Sequence, residues 1–136
     1  AYRYKHPWAP TIITAVFFMA IHLGNDHISL MPILDLFMSG LVFGAMILYF
    51  DSIWMAMGCH TTWNFTQNIL LGLPNSGSVS SYSIFVLDRN SARGSFAYDV
   101  GFGLEGSIMS IVVQVISLAL MIYVYRKYAK NQDVLK

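Results

Sequence analysis

Residues 53–73 read IWMAMGCHTTWNFTQNILLGL, a run long and apolar enough to cross a bilayer that still carries a polar cluster at its centre. His60, Thr61, Thr62, Asn64, Thr66, Gln67 and Asn68 make up that cluster. Polar groups inside a span are expensive, so they usually face the interior of a bundle and mark function. His60 and Asn64 are four residues apart, which places both on one face of a helix. Composition agrees with a lipid setting. Charged residues are 11% and hydrophobic residues 56%, where soluble chains carry roughly 25% charge. A soluble fold must cover its surface with polar side chains, and this sequence has few.

Working outward, three more apolar runs occupy 9–23, 33–50 and 107–125. The expected fold is therefore all-α, a polytopic transmembrane helical bundle of about four spans. The chain reads as a single membrane-embedded domain over 1–136, the C-terminal part of a larger one. Gly24, Asn25 and Asp26 close the first helix, and Pro32 opens the second. Asp51 and Ser52 separate the second from the third and are placed to cap it. Residues 74–106 read as an extramembrane loop, Gly- and Ser-rich, with a strand-like run at 82–87. Arg126, Lys127, Lys130 and Lys136 follow the last span and Arg3 and Lys5 precede the first. The positive-inside rule then puts both ends, the C-terminus included, in the cytoplasm of a multi-pass cell-membrane protein. Tyr2, Tyr4, Trp8, Tyr123, Tyr125 and Tyr128 sit near span ends as interfacial anchors. Gly40 and Gly44, with Ser39 beside them, form a small-residue face suited to helix packing inside the bundle.

The same residues exclude other chemistries. The basic residues form no stripe, so nucleic acid is not an expected partner. Cys59 is the only cysteine, which excludes an intrachain disulfide, and its apolar setting reads as a buried inert thiol. No His-Glu-x-x-His motif, Gly-x-Ser-x-Gly elbow or phosphate-binding glycine loop is present. His22 ends the first apolar run with Phe18 four residues before it, so the first and third helices can each direct a histidine into one cavity. Counted from the span starts, His22 lies roughly 20 Å deep and His60 roughly 10 Å, a mismatch that tilt would have to close. Thr61, Thr62, Thr66, Gln67, Asp35 and Gln114 read as hydrogen-bonding glue between helices, and His6 and His27 as solvated loop residues. Glu105, the only glutamate, precedes the last span and reads as its N-terminal cap.

Two short motifs carry a family resemblance. Phe18-Met19-Ala20-Ile21-His22 matches FxxxH, and His60-Thr61-Thr62-Trp63-Asn64 matches HxxxN, of the CAAX-processing and bacteriocin-processing (CPBP, or Abi) intramembrane proteases. The His-Leu-Gly-Asn after the first motif, the Gly-rich second helix, the Ser52–Gly58 approach to His60 and the stretch from Gly101 to Gly106 resemble the family too. Its Glu-Glu-x-x-x-Arg motif is absent, so the sequence resembles a C-terminal fragment that is not by itself a complete enzyme.

The resemblance implies a CAAX-prenyl-protease-like endopeptidase acting on membrane-associated peptides, with membrane lipid and a peptide or prenylated protein as partners. It assigns water activation to the missing glutamate, positioning of that water to His22, and the oxyanion to His60 and Asn64, with Phe18 in support. No cofactor is required on that mechanism. The family is also described as metalloprotease, in which case His22 and His60 would hold zinc. Two other readings stay open: a catalytically inactive relative acting in bacteriocin immunity or as a membrane scaffold, and a bis-histidine haem protein.

Overall fold

The computed structural model describes residues 6, 8–88 and 90–133, so the expectations for Tyr2, Arg3, Tyr4, Lys5 and Lys136 fall outside the described residues. The chain folds into α1 (Trp8–Ala20), α2 (Leu30–Phe50), α3 (Ile53–Asn64) and α4 (Ile108–Asp133). A π-helical turn, Phe65–Leu70, continues α3, and a 3-10 turn, Leu104–Gly106, precedes α4. Among the described residues there is no named strand, so the protein is all-helical. The strand-like run at 82–87 is a correction. Its amides instead close the preceding turn, with Ile84 N–H on the Ile69 carbonyl at 2.8 Å and Phe85 N–H on Leu70 at 2.9 Å.

Two helices, Leu30–Phe50 and Ile108–Tyr128, are long and apolar enough to cross a membrane. The other two apolar runs are shorter as α-helix than their hydropathy suggests. α1 has 13 residues and gives way to turns before His22. α3 has 12, after which the backbone widens into the π turn. None of the apolar window of α4 is buried within the chain, and Val112, Ile116 and Leu120 are all about half exposed or more. Such a face is compatible with lipid and poorly suited to water.

The firmest packing joins α1 to α2. A Cβ at Gly40 would lie 2.6 Å from the Ala15 Cα, and one at Gly44 would lie 2.7 Å from the Thr11 methyl. Ala15 is fully buried and Thr11 nearly so. With no hydrophobic drive between helices in lipid, close backbone approach of this kind supplies the dispersion that holds them. The small-residue face thus packs within the bundle, as its pattern predicts.

α2 and α4 are joined by polar groups. Gln114 Nε2 donates to Asp35 Oδ1 at 3.1 Å, to Ser39 Oγ at 3.1 Å and to Ser110 Oγ at 3.2 Å. Aromatic rings close one end, with Trp8 edge-on to Tyr49 at 5.8 Å and Tyr49 against Tyr125 at 4.5 Å.

The helix ends correct two capping expectations. Asp51 terminates α2 in the left-handed region (φ 51°), and Ser52 makes no side-chain cap bond to α3. The cap of α4 is Ser107, whose Oγ accepts the Ser110 N–H at 3.2 Å. Glu105 is two residues too early for that task, and its side chain turns inward.

Candidate functional site

Both motif histidines reach the same place. A turn after α1 carries His22, and its Nδ1–H donates to the Phe18 carbonyl at 2.7 Å. That bond fixes the ring and leaves Nε2 as the free acceptor of the neutral imidazole. His60 sits on α3 with Asn64 one turn on, and Asn64 Nδ2 donates to His60 Nε2 at 3.3 Å. Phe18 ties the two histidines together. Its ring lies 4.7 Å from His22 and stands edge-on to His60 at 5.7 Å, while Phe43 meets His60 at 5.3 Å from α2. The depth mismatch counted from the span starts does not keep the motifs apart, since the Phe18 ring reaches His60.

Two spaces meet at these histidines. One is an apolar cavity of about 370 Å³ between α2, α3 and α4, walled by Leu36, Val42, Phe43, Met46, Met109 and Val113. The other is a polar pocket of about 340 Å³ lined by Asn25, Asn64, Asn68, Asn75 and Ser78. His22, His60 and Ser76 line both. Asn64 opens only onto the polar side, and its buried Oδ1 has no partner. An orphaned buried acceptor costs about 1–3 kcal/mol, and this one belongs to a residue that lines the polar pocket.

The π turn follows directly on this motif. π-helical turns cluster at functional sites because they shift side chains off the α-helical face. Here the shift buries Gln67, whose Oε1 accepts the Leu104 N–H at 2.9 Å, and lets Asn68 Oδ1 accept the Ser80 N–H at 2.8 Å. Residues 74–106, expected as an extramembrane loop, are thereby anchored against the end of α3. Gly103 makes this possible. It adopts φ 88°, and a Cβ there would collide with the Pro74 carbonyl.

Three residues at the site escaped the sequence reading: Ser76, Trp63 and Glu105. Glu105 is 6% exposed and faces the apolar cavity. Its Oε1 accepts Trp63 Nε1–H at 2.8 Å, and its Oε2 accepts the Ser76 N–H at 2.9 Å and the Ser76 hydroxyl at 2.5 Å. One signal for it was available, that the lone glutamate lay among glycines. Other expectations for single residues divide. Cys59 is exposed and lines the apolar cavity, where a buried thiol was expected, because α3 buries little beyond Ala56. Thr61 and Thr62 are likewise exposed and make no helix-joining side-chain bond among the described residues. Asp35 and Gln114 do join helices. His6 and His27 are exposed.

A catalytic zinc takes three protein ligands, and no cluster of three His, Cys, Asp or Glu side chains occurs among the described residues. His60 Nε2 is also engaged by Asn64.

The fold and site together define a helical protein with a polar, histidine-bearing centre set against apolar space. A family model described as Type II CAAX prenyl endopeptidase Rce1-like matches residues 1–66. That segment holds FxxxH and HxxxN entire, and the match shows the CAAX-protease resemblance over it. The class it points to is a protease. No curated protein and no solved structure matches the chain.

Proposed function

We propose that this chain forms part of an intramembrane endopeptidase that hydrolyses peptide bonds of membrane-associated, prenyl-bearing substrates. The observation that carries the reading is the meeting of two unlike spaces at His22 and His60. A lipidated peptide has the same two-part character, and its scissile bond would lie where its apolar anchor ends and its polar chain begins. The cavity takes the anchor, and the polar pocket supplies water and contacts for the peptide.

The side chains divide the work. His22, with Nδ1 committed to Phe18, offers Nε2 to a water on the polar side. Asn64 keeps one amide hydrogen beyond its bond to His60, His60 keeps its Nδ1–H, and these two donors stabilise the oxyanion of the tetrahedral intermediate. A neutral amide and imidazole suit that role, because neither carries a charge into a dry site. Phe18 sets the spacing of the rings. The carboxylate that activates water belongs to the family's Glu-Glu-x-x-x-Arg motif, which is not among residues 1–136. On this reading the four apolar runs form a multi-pass membrane bundle with its C-terminus in the cytoplasm.

The test is cleavage of a prenylated peptide by the protein expressed from its complete reading frame, with His60→Ala beside it. Loss of one oxyanion group is expected to lower kcat by about 10²–10³-fold. Undiminished cleavage by that variant would remove His60 from the chemistry.

A further inference from the structure

We infer that Glu105 is a positioning residue for substrate binding, acting through Ser76 to hold the partition between the apolar cavity and the polar pocket. The inference rests on the endopeptidase reading for its substrate and on independent geometry for its mechanics. Ser76 is the one non-histidine residue that lines both spaces. It sits at φ 48°, a left-handed conformation that side-chain-bearing residues rarely hold without support. Support comes from Glu105, which takes both the amide and the hydroxyl of Ser76 on one carboxylate oxygen. The other oxygen takes the indole N–H of Trp63, three residues after His60. One carboxylate thus links the loop that carries Ser76, the helix that carries His60 and the turn before α4. Ser76 and Glu105 both lie beyond the matched family segment.

The arrangement has a clear physical use. An apolar cavity binds a hydrocarbon chain only while it stays dry, and this cavity abuts a polar pocket lined by four asparagines. Ser76, pinned by Glu105 and lining both spaces as the histidines do, closes part of that border. If the pin is released, water reaches the apolar side and the hydrocarbon binds less well. The peptide part of the substrate, which contacts the polar side, is affected less. Glutamine cannot replace the carboxylate. All three partners are donors to Glu105, and an amide offers one accepting atom where the carboxylate offers two.

The experiment uses the full-length protein in liposomes with matched peptides, one prenylated and one not. Glu105→Gln is expected to raise KM for the prenylated peptide about tenfold, with kcat changed less than about threefold. KM for the bare peptide should stay close to wild type. Ser76→Ala should shift KM in the same direction, and the double variant should add little, since one residue acts through the other. A fall in kcat with KM unchanged, or fully additive effects, overturns the inference. Trp63 gives a reading that needs no cleavage. With every other tryptophan, Trp8 and Trp54 included, replaced by phenylalanine, Glu105→Gln should red-shift its emission and increase quenching by a water-soluble agent, and unchanged emission overturns the clamp. A wild-type protein that cleaves neither peptide yet shows the Trp63 shift would remove the protease reading while supporting the clamp.

Discussion

α1 and α3 each carry a motif histidine, yet they are held by opposite means. α1 lies against α2 through Ala15 and Thr11, where glycines at 40 and 44 let the two backbones approach closely. α3 buries only Ala56 along its 12 residues and exposes Trp54, Met55, Met57 and Cys59. Apart from His60 against the Phe18 and Phe43 rings, what fixes α3 is polar and sits at one end: Trp63 on Glu105, Gln67 on the Leu104 amide, and Asn68 on the Ser80 amide. Dispersion between close backbones is insensitive to water and tolerates no added volume. Hydrogen bonds around a wet pocket are directional and sensitive to the loss of a single partner. One histidine thus stands on a rigid frame and the other on a tethered one.

The contrast can be broken most forcefully at the frame. Gly40→Leu should cost about 3 kcal/mol, because the new side chain must displace the Ala15 backbone rather than a flexible tip. Thermal unfolding in detergent reads this, and a stable variant would show that α1 is not packed as described. The next effect lies in the tether. Gln67→Leu leaves the Leu104 N–H without its acceptor and should cost about 2 kcal/mol. Its signature is regional: hydrogen exchange should accelerate at Leu104 and the residues before α4 while the α1–α2 amides stay protected. Uniform acceleration would mean that the two regions unfold as one. The smallest effect should come from Asp35→Asn. Polar bonds between helices in lipid average about 0.6 kcal/mol, because the unfolded chain in the membrane also finds partners. An isosteric amide still meets Gln114, so the unfolding midpoint should move by no more than a few degrees.

How much of this was legible in the sequence differs by region for the same reason. The apolar runs near α2 and α4 and the small-residue face at Gly40 and Gly44 follow from local pattern, since helix and lipid each read the chain a few residues at a time. FxxxH and HxxxN were legible as i, i+4 pairs, and Phe18–His22 and His60–Asn64 are the contacts those spacings predict. The shortness of α1, the π turn after Asn64 and the fate of residues 74–106 were not. Hydropathy reports how apolar a stretch is, and the π turn depends on where Gln67 and Asn68 find partners more than ten residues away. Glu105 is the clearest case. Its position before α4 suits a cap, but Ser107 takes that role and frees the carboxylate for Trp63 and Ser76.

The sequence by itself thus determined a helical, lipid-suited chain, two histidine motifs and the class of protease they resemble. Each is set by residues within one helical turn or one span of each other. The tertiary structure alone decided that His22, His60 and Ser76 share the border between an apolar cavity and a polar pocket, with Glu105 behind it. That border is built from residues 22, 60, 76 and 105, and spacing along the chain carries no information about groups so far apart until the helices pack.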